Sequence, residues 1–293
     1  MNKPDFIIVG AARSGTTSLH EYLSQHPKLC GSRIKEPKYF TNDLYISLGG
    51  PGDNAILDKI VRDEKTYSRL WDSCKDSALK YESSSDYLYH YKSAIPKIIN
   101  DTGDIPIIIC LRSPVERSFS AYQNLVRDNR EKLDFKNALL EEKRRIEMSY
   151  DWMWHYTHGS MYYEQVKAYM TNFTKVKVIL FEEFVESPID ELKGVLDFLG
   201  LSQDFSFNVS TRFSQSGVPK NYIIKRLSSR VGVLSPLRNY ITRNVPRKWL
   251  QAISRNWFKK QRIGDIHENL GIFTREIYEL ERLLDKDLSL WRK

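Results

Sequence analysis

Phe6-Ile7-Ile8-Val9-Gly10-Ala11-Ala12-Arg13-Ser14-Gly15-Thr16-Thr17-Ser18 is the stretch that decides the fold. Four consecutive apolar residues read as a short buried strand running into a glycine turn. Leu19, Tyr22 and Leu23 then recur at helical spacing, and the pattern stops at His26-Pro27. Two glycines five apart, between a strand and a helix, let backbone amides cradle a phosphate, with the helix N-terminus adding donors and a favourable dipole. The candidate phosphate-binding positions are Arg13, Ser14, Gly15, Thr16, Thr17 and Ser18. Where the nucleoside triphosphatase motif GxxxxGK[ST] places its Lys, this chain has Thr16, so a β/γ-phosphate pair is poorly supported. The hydroxyls of Thr16 and Thr17 suit one terminal phosphate, and Arg13 places a cation inside the loop.

Outward from this unit, strands and helices alternate. Strands are expected near Ala78 to Glu82, Ile105 to Leu111 and Val176 to Phe181. Ser113 is placed to cap a helix that begins at Pro114 and runs from Val115 to about Arg127. A highly charged, exposed helix is expected over 134–147, and another from Ile189 to Leu199, closed by Gly200. The pattern implies an α/β fold: a P-loop-like parallel β-sheet flanked by helices on both faces, with helical C-terminal additions, in one domain over 1–293. In such sheets ligands sit at the carboxyl ends of the strands.

A second strand–turn–helix, Ile108-Ile109-Cys110-Leu111-Arg112-Ser113-Pro114-Val115-Glu116-Arg117-Ser118-Phe119-Ser120-Ala121-Tyr122, places an Arg at a strand end and a Ser eight residues later. Arg112 and Ser120 can converge on one anion. Two anion sites at separate strand ends suit a nucleotide with both 3′- and 5′-phosphates.

The run GAARSGTTSLHEYLSQHP resembles the 5′-phosphosulfate-binding motif of sulfotransferases that use PAPS (3′-phosphoadenosine 5′-phosphosulfate), in the branch containing the heparan sulfate sulfotransferases and their bacterial relatives. That resemblance implies sulfuryl transfer from PAPS to a hydroxyl or amine, releasing PAP (adenosine 3′,5′-bisphosphate). It gives Arg13, where relatives often carry Lys, a role on the bridging oxygen and the transferring group. The same resemblance makes Arg112 and Ser120 the 3′-phosphate site. Ile34-Lys35-Glu36-Pro37-Lys38-Tyr39-Phe40 resembles the segment in which a Glu at the position of Glu36 is the general base. Lysines on either side are expected to lower its pKa, and His158 is the second choice of base. Tyr81-Glu82-Ser83-Ser84-Ser85-Asp86-Tyr87-Leu88, His158-Gly159-Ser160-Met161-Tyr162 and the closing Leu288-Ser289-Leu290-Trp291 also resemble family segments. The first lacks the family's usual Pro after Ser/Thr; Ser160 and Tyr162 are expected to support the fold. Lys220, after RFSQSGVP, falls where relatives close a basic loop over the nucleotide.

The net charge of +8 is concentrated: twelve Lys or Arg and no Asp or Glu lie between Lys220 and Arg262. Two amphipathic helices packed on the body are the structural expectation there. An anionic glycan or an anionic membrane lipid is the matching partner, with peripheral membrane contact. Nucleic acid is not expected, because no nucleic-acid-binding module accompanies the charges. The rival functions are a P-loop kinase-like phosphotransferase, opposed by Thr16 in place of the P-loop Lys and by the lack of a clear Mg²⁺-holding Asp, and a nucleic-acid-binding protein using the basic segment, which leaves the two phosphate loops unexplained. No metal is expected, since no acidic metal-holding motif is present and His155 and His158 lack an evident third ligand. Cys30, Cys74 and Cys110 are scattered and odd in number, which reads as core packing in a reducing, cytoplasmic location. Acceptor identity and oligomeric state are left open.

Overall fold

A computed structural model describes residues 2–211 and 271–292, together with the backbone of 218–219 and 258–259. Lys220 and the basic-segment helices lie outside the described residues. Five strands, β1 (Phe6–Gly10), β2 (Leu29–Gly31), β3 (Leu79–Ser83), β4 (Ile107–Leu111) and β5 (Val176–Leu180), form one parallel sheet in the order β2-β3-β1-β4-β5. The two central strands are buried at every position. Their side chains alternate between two cores, as the period of two requires. Ile7, Val9, Ile107, Ile109 and Leu111 enter one; Phe6, Ile8, Ile108 and Cys110 enter the other.

The longer helices among the described residues position the rest: α1 (Thr16–Leu23), α2 (Tyr91–Thr102), α3 (Pro114–Arg127), α4 (Tyr163–Asn172), α5 (Pro188–Phe198) and α6 (Gly271–Leu284). Leu19, Tyr22 and Leu23 of α1 pack with Leu192, Val195 and Leu196 of α5 on one face. Ile95 and Ile98 of α2, Val166 and Tyr169 of α4, and Phe273, Ile277 and Leu280 of α6 cover the other. From β1 the chain runs to the edge strand β2 and returns to β3 beside β1, then crosses to β4 and β5 on the other side. The crevice of the sheet therefore opens between the carboxyl ends of β1 and β4, the two strands that carry the anion motifs. Val218–Pro219 pairs antiparallel with Phe258–Lys259. Among the described residues no helix is long and apolar enough to cross a membrane.

Three expectations are corrected. The three-residue edge strand β2 is too short to show any periodicity and is set by pairing of Leu29 to Gly31 with Leu79 to Tyr81. The charged stretch over 134–147 is two short helices, Phe135–Leu140 and Glu142–Glu147, and it is not simply exposed. Glu142 is buried, accepting from the backbone amides of Thr157 and His158 at 2.8 Å each. Arg145 is buried in a two-pronged ion pair with Glu131 at 2.6 and 3.0 Å.

The third correction concerns the cysteines. Cys30 and Cys74 are joined in a disulfide with a Cα–Cα distance of 5.9 Å, leaving only Cys110 free and buried. Their meeting is tertiary. The Trp71 indole donates to the Tyr81 carbonyl at 3.2 Å, and the Arg33 amide donates to the Leu70 carbonyl at 3.0 Å. These contacts dock residues 69–74 on β3 and on the chain just after the edge strand. Because disulfides persist in oxidising surroundings, the cysteines give no support to a reducing compartment. Closing a loop of 44 residues stabilises a chain by about 2–4 kcal/mol. Cys74→Ser should lower the urea midpoint accordingly, and added reductant should bring the native chain down to the same value.

Candidate active site

The glycine turn after β1 has the geometry its composition implies. Gly15, at φ +90°, caps α1 with no side-chain cap bond, so the first amides of the helix have no capping partner. A Cβ at Gly15 would come within 3.0 Å of the Phe181 ring, so both backbone and space call for glycine. Thr16 is buried at the first position of the helix, with Thr17 and Ser18 half-buried beside it. Ser14 Oγ is buried beside the Tyr162 hydroxyl without a well-formed hydrogen bond. A buried hydroxyl left in this way, next to uncapped amides, fits a loop built to receive phosphate oxygens.

Arg13 adopts φ +70°, a strained conformation for a residue with a side chain. Its Nε donates to Ser120 Oγ of α3 at 3.1 Å. Arg112, from the end of β4, reaches the Arg13 carbonyl with Nη1 at 3.5 Å and stacks over Phe181 at 4.7 Å. Its Nη2 is paired with Glu116 at 2.8 Å, one helical turn along α3. The structure thus brings Arg13, Arg112 and Ser120 together at the crevice between β1 and β4. Burial, followed by the charges of Arg127 and Arg112, lowers the Arg13 guanidinium to about 9; Asp128 opposes this and Arg117 adds to it. Arg13 stays charged at neutral pH. The shift expresses first the cost of burying the charge and then the repulsion of the neighbouring guanidiniums.

Glu36 lies on the neighbouring side, in a loop docked on the end of β3. Its φ is +62° and that of Lys38 is +54°. The Glu36 amide donates to the Ser83 carbonyl at 3.0 Å, and the Lys38 amide to Ser84 Oγ at 3.2 Å, which holds both conformations. The carboxylate accepts from Lys35 Nζ at 2.7 Å, Ser85 N at 2.9 Å and Ser85 Oγ at 2.8 Å. Burial alone would raise its pKa. Lys35 first, then Lys38, and the hydrogen bonds from Lys35 and Ser85 outweigh that and hold it at about 2. The missing Pro of the Tyr81–Leu88 segment acquires a meaning here. Ser85 supplies the backbone N–H that a proline could not donate.

Several participants escaped the sequence. Lys38 is buried against Asp86 and the Tyr45 hydroxyl, both at 3.2 Å, and its cation lies 5.5 Å from the Trp152 ring. Arg117 of α3 lies 5.8 Å from the same ring and donates to the Ala12 carbonyl at 3.3 Å. Trp152, packed with Ala12 and Tyr45, therefore joins the loop carrying Glu36 to the phosphate loop. No local pattern marks these residues; only the Lys next to Glu36-Pro37 was a signal within reach. His158 is tied through Nδ1 to Glu142 at 2.8 Å, a hydrogen bond that raises its pKa. His155 is held neutral by burial, at about 4, with Nδ1 on the Tyr89 hydroxyl at 2.8 Å. Among the described residues no three His, Cys, Asp or Glu side chains are grouped to hold a metal.

Similarity to known proteins agrees with this geometry. The chain is 33% identical to a sulfotransferase from Alicyclobacillus acidocaldarius, with a TM-score of 0.77 over 100% of both chains. It is 23% identical to heparan sulfate glucosamine 3-O-sulfotransferase 3A1 of Mus musculus over 87% of this chain and 64% of that protein. It is 30% identical to the membrane-associated sulfotransferase kil1 of Dictyostelium discoideum over 41% of this chain and 22% of that protein. The chain thus spans less than two thirds of the length of these two curated relatives. Residues 4–205 match the sulfotransferase family, and they contain the phosphate loop, the Glu36 loop and the Arg112–Ser120 motif; the chain belongs to that family.

Proposed function

We propose that the chain transfers a sulfuryl group from PAPS to an acceptor hydroxyl. The loop from Gly10 to Thr17, with Ser18, holds the 5′-phosphosulfate, and Arg112 and Ser120 hold the 3′-phosphate. The bond from sulfur to the acceptor oxygen forms as the bond from sulfur to the 5′-phosphate oxygen breaks. PAP leaves with that electron pair, and the acceptor proton passes to Glu36. Such a loose, in-line transfer needs positioning and charge stabilisation above all. Arg13 supplies the charge at the leaving and transferring groups. The observation that carries this reading is the Arg13 Nε to Ser120 Oγ contact of 3.1 Å, which joins the two anion motifs into one site. Thr16 stands where a nucleoside triphosphate would need Lys.

A sugar hydroxyl is the acceptor class supported by the mouse relative's name. Lys220, which lies outside the described residues, is assigned by its sequence position to a contact near the 3′-phosphate or adenine, and the basic segment to an anionic glycan or membrane lipid.

Calorimetric titration with PAP, against ATP with Mg²⁺ and 5′-AMP, tests the donor site. Tight PAP binding with much weaker binding of both controls supports it, and preference for ATP overturns it. Arg112→Ala should weaken PAP by about 10- to 100-fold, the loss of one charge-assisted, two-pronged contact. Arg112→Lys should restore little of it, because an ammonium lacks the planar fork.

A further inference from the structure

Arg117 is fully buried yet contacts no carboxylate among the described residues. Its guanidinium reaches only neutral acceptors: the carbonyls of Ala12 at 3.3 Å and of His155 and Tyr156 at 3.4 Å, and Ser160 Oγ at 3.5 Å. Nη2 has no hydrogen-bond partner among the described residues. A buried cation compensated so poorly is costly. The fold nevertheless makes room for it, because a Cβ on Gly159 would lie 2.4 Å from Nη1. Gly159 is thus explained by the space the guanidinium needs, and Ser160 by the hydrogen bond it accepts.

The compensating charge must come from elsewhere, and the geometry of the first contact says where. Arg117 donates to the carbonyl of Ala12, the residue before Arg13 in the phosphate loop. We infer that Arg117 is a positioning residue for the donor: it fixes the backbone of the phosphate loop from behind. Its unpaired charge is balanced by the 5′-phosphosulfate when PAPS is bound. The inference rests on the donor-site reading above and adds a residue that does not touch the nucleotide. The charge is conserved for the ligand at the expense of the free protein's stability.

The test uses the full chain, thermal unfolding without ligand, and calorimetric titration with two ligands. PAP carries both phosphates; 3′-AMP lacks the 5′-phosphate. Arg117→Met should weaken PAP by about tenfold or more and change 3′-AMP by less than about twofold, because the charge acts on the 5′ group at short range in a partly buried site. Its melting temperature should not fall, since an unpaired buried cation has been removed. Arg117→Lys should recover most of the PAP affinity. A structural role alone would lower the melting temperature and weaken both ligands together, and that result, or unchanged PAP binding, overturns the assignment. Should Arg117→Met fail to fold, Gly159→Ala decides, because it displaces the same guanidinium: selective loss of PAP supports the inference and indifference overturns it. Failure of the wild-type chain to bind PAP would instead remove the donor site itself, and this role with it.

Discussion

Glu36→Gln is expected to lower kcat by about 100- to 10,000-fold, the range for loss of a general base, while PAP affinity is retained. The substitution keeps size and leaves one of the two oxygens that Lys35 and Ser85 reach, and the phosphate loop does not depend on this side chain. Single-turnover rates with saturating PAPS, beside PAP titration, separate the two effects. A kcat unchanged across acceptors would remove Glu36 from the base role. The pH dependence is equally specific. With its pKa at about 2, the carboxylate is ionised throughout the working range, so it contributes no acid limb to the rate near neutrality. A base this weak takes its proton late, as the acceptor oxygen becomes acidic on bonding to sulfur. Folding stability follows the same shift. The folded pKa lies below the ordinary 4.5, so the stabilisation is fully present above about 4.5 and is lost as pH falls toward about 2. Glu36→Gln should flatten that part of the stability profile.

The legible parts of this protein are those in which sequence neighbours are also spatial neighbours. Phe6 to Ser18 and Ile108 to Tyr122 each contain a strand, a turn and the start of a helix, so their chemistry could be read before their positions were known. Both lie at strand ends facing one crevice. The hidden parts depend on distant pairing. Cys30 meets Cys74 because β2 lies at the sheet edge, Glu142 turns inward to the amides of Thr157 and His158, and Ser85 meets Glu36 across 49 residues. Nothing local in the sequence marks Arg117 as buried. Charge alone could not separate it from Arg127 on the same helix, whose Nε lies 3.6 Å from Asp128.

Arg13→Ala should lower kcat/KM for PAPS by about 100- to 1,000-fold, the cost of removing one preorganised charge from the transferring group. Ser120→Ala should cost less by itself, about tenfold, for one hydroxyl contact to a charged oxygen. The double variant is the informative one. Since Arg13 Nε is held by Ser120 Oγ at 3.1 Å, part of the Ser120→Ala loss is misplacement of the guanidinium, and that part vanishes once Arg13 is gone. The double variant should therefore be less impaired than the product of the single effects, by a coupling of about 0.5–3 kcal/mol, as for groups in direct contact. Arg13→Lys refines the point. It keeps a cation in the loop but lacks the Nε donor that Ser120 positions, so it should restore activity in part and show only the uncoupled, smaller part of the Ser120→Ala loss. Strict multiplicativity in the cycle would mean that the two phosphate motifs act independently, and the joint site at the crevice between β1 and β4 would have to be divided in two.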